Sequence, residues 1–263
     1  MHALAGKIAI VTGASTGMGR AIALALAGAG ASLALVARNA AHLEETAAAS
    51  RTHGGEAVVY PGDVADQAFA RQVIEETVGR FGRLDLLVNN AGTSSRHRNL
   101  ADISVTDWRR TLETNLTGAF LFTRYILPVM RAAGGGQIIN ISSGAGLTPS
   151  APAGVAYSAS KHALHSLTGS INVEERRHGI RACVIAPGET DTPILHQRPL
   201  MPSAEGRATM LRAEDIGNAV LFVASQPAHV AVELVVVTPT RRRNYHADYE
   251  RYVAEGHTQV PLD

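Results

Sequence analysis

Short apolar runs alternate along the chain with longer stretches in which apolar residues recur at helical spacing. The short runs are apolar throughout rather than at every second position, which is typical of parallel strands buried on both faces. They predict strands at Lys7–Thr12, Ser32–Ala37, Ala57–Tyr60, Leu84–Val88, Gln137–Ile141, Ile180–Ala186 and Leu234–Val237. The longer stretches predict helices at Gly17–Gly28, Ala41–Thr52, Asp66–Phe81, Val105–Ala132, Ala156–His178 and Ala213–Ala224.

This alternation predicts a single α/β domain over residues 1–263. We expect a Rossmann-type, doubly wound parallel sheet of about seven strands with helices on both faces, and a ligand at the carboxyl ends of the strands. The stretch 193–212 interrupts the pattern. Its prolines, Pro193, Pro199 and Pro202, argue against a regular helix, and we expect a mobile lid whose inner surface is apolar, with a rigid surface loop as the alternative. The residues expected on that inner surface are Ile194, Leu195, Leu200 and Met201. The tail 240–263 has no clear element.

Composition and charge narrow the functional classes. The chain has a formal net charge of +1 and is 18% charged, which gives no support to nucleic-acid or membrane-surface binding. Cys183 is the only cysteine, so an internal disulfide is excluded. The first apolar stretch, Ile8–Thr12, is too short for the apolar region of a signal peptide, and no stretch reaches the length of a membrane span. We therefore expect a cytoplasmic protein.

A glycine-rich turn joins the first predicted strand to the first predicted helix. Residues Thr12–Gly19 read TGASTGMG, with glycines spaced Gly-x-x-x-Gly-x-Gly. Glycine permits a tight turn and a close approach of backbone N–H groups to a pyrophosphate, and the helix N-terminus adds partial positive charge. The turn predicts a dinucleotide site, with a plain strand-to-helix connection as the alternative.

The ends of the next three strands bear on the choice of cofactor. An acid after the second strand would bind the ribose 2′-hydroxyl of NAD, but Arg38 stands there, and a guanidinium suits the 2′-phosphate of NADP. The alternative is an arginine in solvent. Asp63 either faces the adenine or caps the following helix. The string Asn89–Gly92 either passes close to the cofactor or is a bare turn.

A tyrosine and a lysine lie four residues apart at the start of a predicted helix. Tyr157 and Lys161 therefore share one face, where the ammonium would lower the phenol pKa, ordinarily about 10, and allow proton transfer. Ser143 could hold the substrate oxygen, and the adjacent Ser142 is an open alternative. Asn115 is a poor helix former within a predicted helix. It either has a buried polar role, such as holding a water near Lys161, or faces solvent.

In this order and spacing, the motifs resemble the short-chain dehydrogenase/reductase family, in its NADP-preferring type, over about residues 5–238. The matching strings are Thr12–Gly19, Asn89–Gly92, Asn115, Ser143, Tyr157 with Lys161, and Pro187–Thr192 (PGETDT). The resemblance implies Tyr157 as acid/base, Lys161 as its pKa tuner and ribose ligand, and Ser143 as ligand of the substrate oxygen. It implies Asn115 as support for the proton relay. It also implies a cofactor site comprising Gly13, Ser15, Gly17, Met18, Gly19, Arg38, Asp63, Val64, Asn90, Ala91, Gly92, Tyr157, Lys161, Pro187, Gly188, Thr190 and Thr192.

Some positions depart from the family's usual pattern. The spacing from Ser143 to Tyr157 is one residue longer than usual, which predicts an insertion in the loop between them. Thr190 stands where valine is more usual, and Glu189 brings an acid near the site. The segment 228–239 is similar to a branch that includes NADP-dependent dehydrogenases of small hydroxy acids.

These features predict an oxidoreductase that transfers a hydride between NADP(H) and a carbonyl or secondary alcohol. A 3-oxoacyl-thioester reductase and a small hydroxy-acid dehydrogenase are alternatives within the family, and a catalytically silent NADP-binding sensor or partner protein is an alternative from another class. A homotetramer is expected, as in much of the family. No metal site is expected, because His162 and His165 lack further ligands. The run Arg96–Arg98 could meet an anionic substrate, but a solvated loop is the preferred interpretation.

Overall fold

The sheet determines the architecture of the protein. A computed structural model describes residues 3–150, 152–198, 200–241 and 243. Within these residues seven parallel strands form one sheet in the order β3-β2-β1-β4-β5-β6-β7. The strands are β1 Ile8–Thr12, β2 Ser32–Ala37, β3 Ala57–Pro61, β4 Leu86–Asn89, β5 Gly136–Ile141, β6 Ile180–Pro187 and β7 Leu234–Val237. The predicted Rossmann-type doubly wound fold is confirmed, and each predicted strand agrees with the observed one to within two residues at either end.

Eight α-helices lie within the described residues. They are α1 Gly17–Gly28, α2 Ala40–Arg51, α3 Gln67–Phe81, α4 Val105–Leu112, α5 Gly118–Ala132, α6 Val155–Glu175, α7 Ala204–Ala208 and α8 Ala213–Ala224. The predicted helix over Val105–Ala132 has these bounds in the structure, but a π-helical turn that was not predicted, Glu113–Thr117, lies within it between α4 and α5. None of the described helices is long and apolar enough to cross a lipid bilayer.

Two apolar layers, one on each face of the sheet, explain why the strands are apolar at successive positions. Val11 packs into the layer beneath α1, α2 and α8, and its neighbour Ile10 packs into the layer beneath α3, α5 and α6. Every residue of β1 is buried. A strand of this kind has no solvent-facing side, so its sequence cannot alternate between apolar and polar residues.

The strand order reverses between β1 and β4, which lie side by side although they are far apart in sequence. The connections that follow them diverge and leave a crevice at the carboxyl edge. The two turns are tied together at its base. The Thr12 hydroxyl accepts hydrogen bonds from the backbone N–H groups of Asn90 (3.0 Å) and Ala91 (3.1 Å), and the Asn90 side chain donates to the Thr12 carbonyl (3.0 Å).

The stretch 193–212 contains more regular structure than its prolines suggest. A 3₁₀-helical turn covers Pro193–Gln197, with Pro193 at its first position, where its missing N–H is not needed. Helix α7 follows within the same stretch. Leu195 is buried as expected, whereas Met201 is 38% exposed and does not belong to an inner apolar surface. Pro199 and most of the tail, residues 242 and 244–263, lie outside the described residues.

Candidate active site

Two adjoining cavities occupy the carboxyl edge of the sheet. The first, here the glycine-loop cavity, has a volume of about 330 Å³ and lies between the turns after β1, β2, β3 and β4. The second, here the lid cavity, has a volume of about 460 Å³ and lies between the loop 143–153, the end of β6 and the turn Pro193–Gln197. The two cavities share Met18, Ser142, Tyr157, Thr192 and Ile194, so a ligand in one would meet a ligand in the other at these side chains.

The predicted cofactor residues divide between the two cavities. Those that line the glycine-loop cavity are Gly13, Ser15, Gly17, Met18, Gly19, Arg38, Asp63, Val64, Asn90, Ala91, Gly92, Tyr157, Lys161 and Thr192. Those that line the lid cavity are Pro187, Gly188 and Thr190, together with Met18, Tyr157 and Thr192. The structure therefore brings together residues that are up to 179 positions apart in the chain, from Gly13 to Thr192.

The glycine loop is closely packed against its surroundings. Gly13 has a φ of +65°, and a Cβ atom there would lie 2.8 Å from the Cα of Ala91. A Cβ on Gly19 would lie 2.0 Å from the carbonyl oxygen of Gly13. Neither position can carry a side chain. Thr16, which caps α1, makes no side-chain capping bond, and the first turn of α1 contains no acid. The first backbone N–H groups of α1 and its positive dipole end are therefore available to an anion.

Arg38 and Asp63 border the far end of the glycine-loop cavity. Arg38 is exposed, lines the cavity, and forms no salt bridge with an acid of the described residues. Asp63 accepts a hydrogen bond from the N–H of Ala65 (3.0 Å) within its own turn. The residue that caps α3 is Asp66, which accepts from the N–H groups of Ala68 and Phe69. Asp63 is therefore not the helix cap, and its position beside the cavity remains compatible with an adenine contact.

Tyr157 and Lys161 meet at the junction of the cavities, on the first turns of α6. The Lys161 ammonium is 3% exposed, donates a hydrogen bond to the carbonyl of Ile141 (2.8 Å) and lies 5.6 Å from the centre of the Tyr157 ring. Burial lowers the pKa of Lys161 to about 8. Burial also raises the pKa of Tyr157, and the Ser143 hydroxyl and the charges of Arg198 and Arg98 oppose this only in part. The phenol pKa is therefore raised and not lowered as the sequence predicts, because desolvation of the phenolate outweighs the favourable charges.

The two candidate serines after β5 both line the lid cavity, and Ser142 lines the glycine-loop cavity as well, but their hydroxyls have different partners. The Ser142 hydroxyl is buried against α6, where it donates to the carbonyl of Lys161 (3.1 Å) and contacts the Nε2 of His165 (3.0 Å). The Ser143 hydroxyl accepts from the N–H of Ala145 (3.2 Å), interacts with the Tyr157 phenol and lines the lid cavity. Ser143 is therefore the hydroxyl that a molecule bound beside Tyr157 would reach.

Asn115 is a buried residue of the π-helical turn and is 1% exposed. Its side-chain oxygen accepts from the N–H of Thr93 (2.7 Å), and its amide donates to the Thr93 carbonyl (3.0 Å) and to the Ser160 hydroxyl (3.0 Å). The alternative of a solvent-facing asparagine is thus excluded. These bonds fix the π-helical turn to the segment after β4 and to α6, on which Lys161 lies. Turns of this kind are frequent at functional sites.

Arg98 is a residue that the sequence interpretation placed wrongly. It was expected in a solvated loop, but it is 7% exposed and lines the lid cavity. Its guanidinium donates to the backbone carbonyls of Ser95 (3.0 Å), Pro152 (2.6 Å) and Gln197 (2.9 Å). Burial and the nearby charge of Arg198 lower the pKa of Arg98 to about 10, so it remains a cation at neutral pH. Arg96 and His97 are exposed, as expected for the rest of the run.

Glu189 and two further arginines form another part of the lid cavity, and no sequence motif predicts this cluster. Glu189 accepts from Arg198 (2.6 Å) and Arg243 (3.2 Å). Burial alone would raise the pKa of Glu189, but these two guanidinium groups hold it below its ordinary value. Arg198 and Arg243 belong to no recognisable motif and lie in segments without predicted structure, so only the fold could reveal their convergence.

Comparisons with known proteins agree with this geometry. Residues 7–202 match the family model described as short chain dehydrogenase. The cis-4-hydroxycyclohexanecarboxylate dehydrogenase of Sinomonas cyclohexanicum is 36% identical over 246 residues, covering 89% of this chain and 96% of that protein. Sulfoacetaldehyde reductase 2 of Chromohalobacter salexigens is 34% identical, with coverage of 89% and 95%. A crystal structure of a metagenomic short-chain oxidoreductase in complex with NADP has a TM-score of 0.78 at 33% identity, covering 91% of this chain and 100% of that one.

Proposed function

Since this chain belongs to the short-chain dehydrogenase/reductase family of oxidoreductases, we propose that it transfers a hydride between NADP(H) and a carbonyl or secondary alcohol. The observation that carries the proposal is the position of Tyr157, which lines both cavities. Ser143 lies beside it in the lid cavity, and Lys161 lies beside it in the glycine-loop cavity. Three groups thus surround the point where cofactor and substrate would meet. Tyr157 is a proton donor for the substrate oxygen, Ser143 is a second donor to that oxygen, and Lys161 is a buried cation.

The residues of the glycine-loop cavity fit a dinucleotide. The side-chain-free turn at Gly13 and Gly19 and the uncapped start of α1 form a cradle for a pyrophosphate. Arg38 would hold the 2′-phosphate that distinguishes NADP, and the solved relative in complex with NADP supports this choice. Asp63 and Val64 would adjoin the adenine. The remaining contacts are proposed for the riboses, from Asn90, Ala91, Gly92 and Lys161, and for the nicotinamide, from Pro187, Gly188, Thr190 and Thr192.

When bound, the nicotinamide supplies the hydride for reduction of a carbonyl or accepts one from an alcohol. The chain's own residues handle the proton. With its pKa raised, Tyr157 is protonated at neutral pH, so its hydroxyl can donate a proton to the carbonyl oxygen as negative charge develops there. Ser143 donates a hydrogen bond to the same oxygen. The Lys161 ammonium stabilises the phenolate that Tyr157 becomes. Asn115 holds α6 against the segment after β4 through its hydrogen bonds to Ser160 and Thr93.

Substrate class and setting are part of the proposal. By their names, two relatives act on molecules that combine a hydroxyl with a carboxylate or an aldehyde with a sulfonate. This favours the small hydroxy-acid alternative over a 3-oxoacyl-thioester reductase. The complete set of Asn115, Ser143, Tyr157 and Lys161 around one point argues against a silent NADP-binding sensor. We further propose a cytoplasmic homotetramer that binds a small-molecule substrate and has no nucleic-acid or membrane partner.

Replacement of Tyr157 by Phe tests the proposed function. Turnover of a panel of ketones with NADPH, followed by nicotinamide absorbance, is expected to fall by about 10²- to 10⁴-fold, the usual contribution of general acid catalysis. NADPH affinity, measured by fluorescence titration, should change by less than about threefold, because the phenol takes part in the chemistry rather than in cofactor affinity. Tyr125→Phe, a half-buried tyrosine on α5 outside both cavities, is the matched control. Near-parental turnover by Tyr157→Phe would overturn the assignment, and NADPH binding without any turnover in the parent would favour the sensor.

A further inference from the structure

The charged residues of the lid cavity are mostly basic. Among the described residues, three arginines line it, Arg98, Arg198 and Arg243, together with one carboxylate, Glu189. Glu189 forms its ion pairs with Arg198 and Arg243. No carboxylate of the described residues forms an ion pair with Arg98. Arg98 therefore contributes to the described lining a positive charge that Glu189 does not neutralise, beside the point where the proposed reaction takes place.

Arg98 is held in a way that leaves part of its guanidinium available. A guanidinium has five N–H groups. In Arg98 each of the three nitrogens donates one hydrogen bond to a neutral backbone carbonyl of the described residues. One N–H on each terminal nitrogen is left without an acceptor among those residues. Burial of a cation is unfavourable unless an anion compensates it, and neutral carbonyls compensate it only in part. Two N–H groups on a planar fork suit the oxygens of a carboxylate or a sulfonate.

The position of Arg98 relative to Tyr157 is fixed by the backbone. The N–H of Val155, the first residue of α6, donates to the carbonyl of Arg98 (2.9 Å). Gly154, with a φ of +86°, packs so tightly that a Cβ there would lie 2.4 Å from the Cβ of Arg98. Arg98 is thus attached to the same helical turn that carries Tyr157. The charges of Arg98 and Arg198 both reach the Tyr157 phenol.

We propose that the lid cavity binds an organic acid, with a carboxylate or sulfonate held by Arg98 while its carbonyl or hydroxyl faces Tyr157 and Ser143. This inference rests on the proposed hydride transfer and names its substrate class. Arg198 adds to the positive electrostatic potential in the cavity, but its ion pair with Glu189 neutralises part of its charge. A cavity of about 460 Å³ fits a small molecule with both groups. The acid group would fix which face and which carbon of the substrate meet the cofactor.

Matched pairs of substrates test the inference in the parent enzyme. The acids are 4-oxopentanoate, 4-oxocyclohexanecarboxylate and 3-oxobutane-1-sulfonate. Each is compared, at saturating NADPH, with its methyl ester or, for the sulfonate, with the methyl sulfone. At least one acid is expected to exceed its neutral partner in kcat/KM by about 100-fold, the range found for charge pairs buried in a binding site. Calorimetry of cyclohexanecarboxylate, butanesulfonate and cyclohexanecarboxamide with the NADP⁺ complex provides a second measurement. Only the two acids should bind.

A pair of variants assigns the effect to Arg98. Arg98→Gln keeps an N–H donor for the neighbouring carbonyls but removes the charge. It should lower kcat/KM for the acid by about 100-fold, chiefly through KM, and leave the ester within about threefold. Arg98→Lys should recover part of the loss. The matched control is Arg96→Gln, an exposed arginine two positions away that should leave both substrates unaffected.

The possible outcomes separate this inference from the proposed function. Equal kcat/KM for acids and esters in the parent would overturn the inference while hydride transfer stands. An equal loss for acid and ester in Arg98→Gln would mean that Arg98 only joins its three loops, which also overturns it. If Arg98→Gln does not fold, the acid-to-ester ratio in the parent and the calorimetry still decide. A parent enzyme that reduces neither class and binds neither acid contradicts both proposals, and selective acid binding without turnover contradicts hydride transfer alone.

Discussion

Lys161 places a positive charge where water is excluded. Its pKa falls from an ordinary 10.5 to about 8 because burial disfavours the ammonium. At neutral pH the group is therefore charged in both the folded and the unfolded chain, and the lowered pKa corresponds to a loss of stability of about 3 kcal/mol. The proposed chemistry requires this charge, since a neutral amine would stabilise a phenolate far less. Lys161 thus exemplifies the conflict between stability and activity that is common in catalytic sites.

The first prediction at the residue scale is that Lys161→Met stabilises the fold while it removes activity. At pH 6 to 7 the free energy of unfolding should rise by about 1 to 3 kcal/mol, less than the full cost of the charge because the Ile141 carbonyl loses its donor. Between pH 8 and 10.5 the unfolded chain binds the Lys161 proton and the folded chain does not, so the parent gains stability as the pH rises. The difference between parent and variant should shrink over that window.

Urea unfolding at both ends of the window measures this effect. The control is Lys7→Met, which removes an exposed lysine that pairs with Asp85 (2.9 Å). That change should lower stability slightly or leave it unchanged at every pH below 10. If Lys161→Met is less stable than the parent at pH 6, favourable contacts of the buried ammonium in the folded protein outweigh its desolvation cost, and the prediction is wrong.

The second residue-scale prediction concerns Arg38 and the choice between NADP and NAD. Arg38→Asp should weaken NADPH binding by about 100-fold or more, because a cation facing the 2′-phosphate is replaced by an anion that repels it. NADH binding should be unchanged or improved, since an acid can accept hydrogen bonds from the ribose hydroxyls. The ratio of kcat/KM for the two cofactors measures this, with Arg124→Asp on the exposed side of α5 as control. Equal efficiency of the parent with both cofactors would contradict the proposed role of Arg38.

At the scale of elements, a strand or a helix was predictable where its own pattern of apolar residues determines which of its faces are buried. The apolar run of β1 requires burial on both faces, and the spacing in α1 follows from packing on one of them. The π-helical turn was not predictable, because Thr93 and Ser160, which hold Asn115, lie 22 and 45 residues away in the sequence. A periodic pattern continues across such a turn without a visible break.

The residues of the candidate site likewise include some that could be predicted from the sequence and some that could not. Residues in sequence motifs, such as the glycine turn and Tyr157 with Lys161, could be assigned to the site from the sequence. Arg98 and Arg198 could not, since their roles depend on which loops meet above the sheet. The phenol pKa was predicted with the wrong sign because the sequence specifies the charged neighbour but not the degree of burial.

The prediction at this scale is that the stretch 193–212 closes over bound ligands. Its two ends are joined where Leu211 bonds to the backbone of Glu189 and Asp191 (2.9 and 2.8 Å), and its first turn is attached to the site where Gln197 accepts from the N–H of Ser94 (2.9 Å). Movement is therefore expected mainly in 200–208, which has few such bonds. Hydrogen exchange should show rapid exchange there in the free protein and protection with NADPH and substrate. High protection without ligands, unchanged on binding, would exclude a mobile lid.

At the scale of the whole molecule, exposed apolar side chains mark surfaces that a further copy could cover. Val173 on α6 is 86% exposed, and Phe120 on α5 is also exposed. On another part of the surface, Phe222 on α8 and Leu234 on β7 are exposed, and β7 pairs only with β6 among the described strands. Single exposed hydrophobic residues are common, but an apolar edge strand is a risk for aggregation unless it is covered. A tetramer with two kinds of interface requires two separate contact surfaces on each subunit, and these two regions would provide them.

The last prediction is therefore that the two regions can be disrupted separately. The parent should sediment as a tetramer at micromolar concentration. Charge introduced at one region, by Phe120→Glu with Val173→Glu, or at the other, by Phe222→Glu with Leu234→Glu, should give dimers, because each change removes one interface and leaves the other intact. All four changes together should give monomers that keep the far-ultraviolet circular dichroism of the parent. Glu45→Arg, an exposed change on α2, on the opposite face of the sheet from α5 and α6 and far from β7, should remain a tetramer. A parent that is monomeric at this concentration would exclude the assembly, and a parent whose size no charge substitution alters would place its interfaces elsewhere.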